Sequence, residues 1–134
     1  MKVLVDTSVW SLAFRRRAPR HDAVEELRRL VTHGRAALIG PIRQEVLSGI
    51  RDGITFRQVR DSLRAFKDEP VDTSDYERAA ELFNTCRSSG LQGSNTDFLI
   101  CAVAERHRLP IFTTDGDFSR YSRAISVALH RPTA

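Results

Sequence analysis

Three short, strongly apolar strand patterns constrain this chain more than any other feature: Lys2-Val3-Leu4-Val5, Ala36-Ala37-Leu38-Ile39 and Leu109 to Thr113. Helical patterns separate them. His21 to His33 places Val24, Leu27, Leu30 and Val31 at helical spacing with Arg28 and Arg29 outside, and Gly34 stops it. Strands this short and apolar, alternating with helices, argue for an α/β fold with a central, mainly parallel sheet flanked by helices on both faces. In such sheets the ligand site lies beyond the carboxyl ends of the strands.

The other elements follow the same rules. Ser8 to Phe14 reads as a helix broken by Arg15-Arg16-Arg17-Ala18-Pro19, and Gly40-Pro41 opens another. Phe56, Val59, Leu63 and Phe66 form the stripe of a fourth helix. Tyr76, Ala79, Ala80, Phe83 and Cys86 mark a fifth, and Asp97 to His107 is a sixth. Pro70-Val71 is a short extended segment, and Ile125, Val127 and Leu129 alternate as a last edge strand would. Residues 1–134 suit one domain with one core. The chain begins on a strand pattern without a signal peptide, and no apolar run is long enough to span a bilayer, so a cytoplasmic protein is the simplest reading. Cys86 and Cys101 fall in apolar helical patterns and read as buried free thiols.

Acidic residues recur at the ends of these elements. Asp6 ends the first strand, Glu45 lies in the helix after Pro41, Asp97 opens the apolar sixth helix, and Asp115 follows Ile111-Phe112-Thr113-Thr114 with Asp117 two positions on. Each also has a plain structural role available. Asp6 suits an N-cap, Ser94-Asn95-Thr96-Asp97 resembles a capping box, and Thr114-Asp115-Gly116-Asp117 suits a turn. Glu45 fits less well, because it sits at the edge of an apolar face where a carboxylate carries a desolvation cost. Carboxylates gathered in one place repel one another and need a cation, and hard divalent ions take oxygen ligands.

The blocks that carry these acids have a family likeness: Val3-Leu-Val-Asp-Thr-Ser-Val-Trp10, Pro41-Ile-Arg-Gln-Glu-Val-Leu-Ser-Gly49, Asp97-Phe-Leu-Ile-Cys-Ala-Val-Ala104 and Thr113-Thr-Asp-Gly-Asp-Phe118. In order and across the whole chain, they resemble the PIN-domain ribonucleases, in particular the VapC toxins of toxin–antitoxin pairs. The resemblance implies a three-layer α/β/α fold and a Mg²⁺- or Mn²⁺-dependent endoribonuclease. Asp6, Glu45, Asp97 and Asp115 match the family's acidic quartet, and Asp117 matches a further acid found in many members. Ser8 and Thr113 or Thr114 match positions where hydroxyls support the acids. Cys101 stands where the family usually has alanine.

On this reading a cation among Asp6, Asp97 and Asp115 polarises a scissile phosphate and acidifies an attacking water. Glu45 or Asp117 helps to hold a second ion, or Glu45 orients or deprotonates the water; one-metal and two-metal arrangements both remain open. His21, His33, His107 and His130 read as surface or helix-end residues without metal-site spacing. The net charge is +4 and nearly all of the basic residues are Arg, which suits a phosphate-bearing partner or simply reflects genomic composition. Arg57, Arg60 and Arg64 share a helix face that reads first as solvated, and Arg15, Arg16 and Arg17 follow the first acidic segment.

Three functions stand side by side: a ribonuclease toxin held in check by a small VapB-like antitoxin, a stand-alone PIN nuclease for RNA processing or DNA, and a non-catalytic binding module of the same fold. Retention of every acid counts against the last. The resemblance also implies a homodimer and an antitoxin segment wrapping the toxin. The helices of 41–50 and 55–66, joined at Arg51-Asp52-Gly53, make a natural clamp for that segment, or else they only close the core.

Overall fold

Val3, Leu4 and Val5 are completely buried. Successive side chains of a strand point to opposite faces, so this strand is covered on both sides. In the computed structural model, which describes residues 1–15 and 21–132, it forms the centre of a parallel sheet. The elements run β1 (Val3–Val5), α1 (Thr7–Ala13), α2 (Asp22–Thr32), β2 (Ala36–Ala37), α3 (Gly40–Ser48), α4 (Gly53–Leu63), α5 (Thr73–Ser88), α6 (Asn95–His107), β3 (Ile111–Phe112) and α7 (Asp117–Tyr121).

The strand order is β2-β1-β3. Val3 and Leu4 face Ala36 and Ala37 on one side, while Leu4 and Val5 face Ile111 and Phe112 on the other. Single parallel bridges, Leu38 to Asp68 and Ile111 to Leu129, widen the sheet at both edges. The chain therefore leaves β1 first to one side and later to the other. The ends of β1 and β3 meet at the switch point where an open parallel sheet presents its crevice.

Residues Phe98 to Ala104 of α6 are buried without interruption. A helix apolar all round belongs in an interior, and α5 lies along it as its main neighbour. Arg108 ends α6 in the left-handed region, at φ 56° and ψ 44°, which turns the chain back towards β3. Helix α1 packs against α2 and α3. Trp10, almost fully buried, donates its indole N–H to the Val5 carbonyl at 3.1 Å.

Two buried acids anchor helices. Asp75 in α5 takes Arg106 Nε and Nη2 at 2.7 Å each, and its Oδ2 accepts the Asp72 backbone N–H at 2.9 Å in a capping box. The Arg106 guanidinium holds the Asp75 carboxyl below its ordinary range. Glu26 in α2 lies 2.6 Å from His130 Nε2, and the His130 ring meets Phe112 edge-on at 5.4 Å.

Several sequence expectations change here. His130 is not a surface residue; it closes the sheet edge against the buried Glu26. Val31 and Tyr76, read as inward-facing, are exposed. The segment 125–129 pairs only at Leu129 and forms no continuous strand. Phe66 packs against Trp10 from beyond the end of α4. Glu45 is exposed, so the desolvation argument made for it does not hold. The Cys86 and Cys101 thiols are free and buried, as expected; burial pushes Cys101 up to about 12. No helix among the described residues is long and apolar enough to cross a membrane.

Candidate active site

Asp6 occupies the N-cap position of α1, but its side chain makes no capping hydrogen bond. Its Oδ2 instead accepts from Ser8 Oγ at 2.9 Å and Thr113 Oγ1 at 2.8 Å. Ser8 Oγ accepts the Thr114 backbone N–H at 3.1 Å, and Thr113 Oγ1 accepts the Asp115 N–H at 2.9 Å. A hydroxyl has one proton to give. Both protons therefore go to Asp6, and the 3.3 Å approach of Ser8 to Thr113 is a contact between two committed oxygens. The arrangement ties the start of α1 to the loop leaving β3.

That loop carries the next acids. Asp115 Oδ1 accepts the Asp117 backbone N–H at 2.9 Å and so starts α7. Asp117 Oδ1 lies 2.6 Å from Arg120 Nη1, one helical turn on. Asp97 stands in the first turn of α6, its backbone N–H donated to the N-cap Ser94 Oγ at 3.0 Å. Tyr121 donates its hydroxyl to Asp97 Oδ2 at 2.6 Å. Glu45 reaches in from α3 and accepts from Thr7 Oγ1 at 2.7 Å.

Asp6, Glu45, Asp97 and Asp115 border one open cleft of about 690 Å³, with Gln44, Ser48 and Thr96 between them. One carboxylate oxygen from each of Asp97, Asp115 and Asp117 lies within 4.8 Å of the other two. Burial raises the Asp97 carboxyl above its ordinary range; the charges of Asp6 and Asp115 add to this, and hydrogen bonds from Tyr121 and Ser94 offset part of it. A donor set made only of carboxylate oxygens under mutual repulsion fits a hard divalent cation such as Mg²⁺ or Mn²⁺.

The sequence-predicted acids thus meet at one place, with a division among them. Asp117 joins Asp97 and Asp115, whereas Asp6 stands beside that trio, 5% exposed and held by hydroxyls. Of the hydroxyls, Ser8 and Thr113 serve Asp6, while Thr114 takes part through its backbone N–H. Arg60 and Arg64 pair with Asp61 within their own helix. Arg15 borders a separate cavity with Phe14 and Ile50, and Arg16 and Arg17 lie outside the described residues. Sequence reasoning missed Thr7, Arg120 and Tyr121. Thr7 was signalled by its place beside Asp6; Tyr121 was signalled only by its spacing of four from Asp117.

The PIN domain family profile matches residues 3–124. The chain is 34% identical over 125 residues to Ribonuclease VapC11 of Mycobacterium tuberculosis, spanning 90% of this chain and 92% of that protein. Among solved structures, it is similar to VapBC2 from Rickettsia felis bound to a DNA fragment from their promoter, with a TM-score of 0.78, 17% identity and coverage of 97% and 98%. It is also similar to VapBC-5 from Mycobacterium tuberculosis, a member of the VapBC family of toxin–antitoxin systems, with a TM-score of 0.68, 23% identity and coverage of 97% and 98%.

Proposed function

Because this chain belongs to the PIN domain family, we propose that it is a metal-dependent endoribonuclease acting as the toxin of a toxin–antitoxin pair. The observation that carries this reading is the approach of Asp97, Asp115 and Asp117 to within 4.8 Å of one another, where Asp97 and Asp115 share one cleft with Asp6 and Glu45 at the ends of β1 and β3. Asp97, Asp115 and Asp117 are the residues that would hold Mg²⁺ or Mn²⁺, with Asp6 beside them. A divalent cation held there would supply the Lewis acidity that polarises a scissile phosphate and lowers the pKa of an attacking water.

The chain's own residues supply the rest. Ser8 and Thr113 orient Asp6 so that its charge stays directed at the cleft. Glu45, exposed and held by the Thr7 hydroxyl, is placed to orient an attacking water or take its proton. Arg120 pairs with Asp117 at 2.6 Å, one helical turn away. Attack by water leaves 5′-phosphate and 3′-hydroxyl ends.

The partner is a small VapB-like antitoxin, and the toxin works as a homodimer. A cavity of about 430 Å³ between the ends of α1, α3 and α4, bordered by Phe14, Val46, Ile50 and Thr55, supports α3 and α4 as the antitoxin clamp, and Ile54 stands exposed nearby. Incubating the purified chain with RNA after EDTA treatment, then restoring Mg²⁺, tests the chemistry. Cleavage is lost and then returns; undiminished cleavage in EDTA contradicts the proposal. Copurification with the small protein encoded beside it, with loss of cleavage in the complex, tests the partner.

A further inference from the structure

Tyr121 is fully buried, with its ring 4.8 Å from Phe98 and 5.5 Å from Phe118 between centroids. Phenylalanine would satisfy that packing equally well. A buried hydroxyl carries a cost unless a partner accepts it, and the partner here is Asp97 Oδ2 at 2.6 Å. The neighbouring backbone is shaped for the same contact. A Cβ at Gly93 would overlap both the Tyr121 hydroxyl and its ring. Gly93 does not have a positive φ, so it is space for Tyr121, and not backbone conformation, that excludes a side chain there.

Position in the chain gives the contact its meaning. Asp117 and Tyr121 are the first and last residues of α7, and residues four apart lie on one helix face. The helix that places Asp117 beside Asp97 and Asp115 therefore also grips Asp97 of α6. We propose that Tyr121 is a positioning residue: its hydroxyl fixes the Asp97 carboxylate in the orientation that sets one of its oxygens beside those of Asp115 and Asp117, with Gly93 keeping the space it needs. This inference rests on the reading that these three carboxylates hold a divalent cation. It adds that their spacing is set by a neutral donor outside the acidic set.

The test is Tyr121→Phe in the full chain, which keeps the ring and removes the hydroxyl. Mn²⁺ binding is measured without RNA by the paramagnetic resonance of free Mn²⁺, beside the melting temperature and the Mg²⁺ dependence of cleavage. A native-like melting temperature is expected, with Mn²⁺ affinity weakened by about tenfold or more, as is usual when a group orienting a metal ligand is removed. Cleavage should recover at high Mg²⁺, which a purely structural role for the hydroxyl would not produce. Mn²⁺ binding as tight as in the unsubstituted chain overturns the inference while leaving the metal reading intact. An unsubstituted chain that binds no Mn²⁺ removes both. Should Tyr121→Phe fail to fold, fluorotyrosine labelling of the unsubstituted protein decides. Only Tyr76 and Tyr121 would report, and Mg²⁺ should shift the fluorine resonance of buried Tyr121 and not that of exposed Tyr76. A Tyr121 resonance unmoved at saturating Mg²⁺ overturns the inference.

Discussion

Asp6 and Thr113 stand 107 residues apart in the chain and are joined by a 2.8 Å hydrogen bond. The bond links the ends of β1 and β3, and Thr113 Oγ1 also holds the Asp115 N–H at the start of the acidic loop. Thr113→Val removes both links and keeps the shape. It should lower stability by about 1–3 kcal/mol, the range for leaving buried polar groups unpaired, and reduce cleavage as well. Thr113→Ser should recover most of each. Urea unfolding and a cleavage assay on both variants check this; a valine variant with unchanged stability would show that Asp6 is held by other means.

The Asp97 carboxyl is raised in the fold, chiefly by burial and then by Asp6 and Asp115. For an acid with a raised pKa, the native state binds the proton more readily than the unfolded chain does. Metal-free stability should then fall as the pH rises from the ordinary carboxyl value of 3.8 through the folded value. Asp97→Asn keeps an oxygen to accept from Tyr121 and removes the charge, so the metal-free variant should melt higher than the parent at neutral pH. Added Mg²⁺ should raise the melting temperature of the parent only. Thermal melts with and without Mg²⁺ measure both effects, and a variant that melts lower than its metal-free parent sinks the repulsion argument.

Asp75 behaves in the opposite way. Arg106 depresses its carboxyl, so the contribution of this pair is complete above the unfolded value of 3.8 and is lost as the pH falls through the lower folded value. Arg106→Gln should destabilise the helix pair α5–α6 and move the acid-unfolding midpoint to higher pH. Circular dichroism during acid titration reads the shift; an unmoved midpoint would remove Asp75 from the acid response.

Val3-Leu4-Val5-Asp6 was legible because a fully apolar strand needs cover on both faces, and the residue that ends it must emerge at the carboxyl edge. The long apolar run of α6 identified Asp97 in the same way. Tyr121 was not legible, since α7 is too short for a period to develop and its purpose depends on Asp97, 24 residues earlier. Glu26 lies at a helical position made tolerable in a core by Arg29, one turn on, and by His130, 104 residues away. Val31 and Tyr76 sit at the margins of their stripes, where periodicity does not tell which side meets the sheet. Thr113 and Thr114 are chemically alike, and their roles separate only in the fold: one hydroxyl turns to Asp6, while the next residue offers its N–H to Ser8.

The most direct measurement of the central claim is RNA cleavage by purified Asp97→Asn protein in Mg²⁺, beside the unsubstituted chain and with the native fold verified by its melt. Asp97 is the acid that the cleft brings to Asp115 and Asp117 from a separate helix, so its charge is the one that the proposed cation least tolerates losing. The expected result is a folded variant that leaves RNA intact under conditions where the parent cuts it. A folded Asp97→Asn variant that cuts RNA at the parent's rate would contradict a metal-dependent nuclease built on these carboxylates.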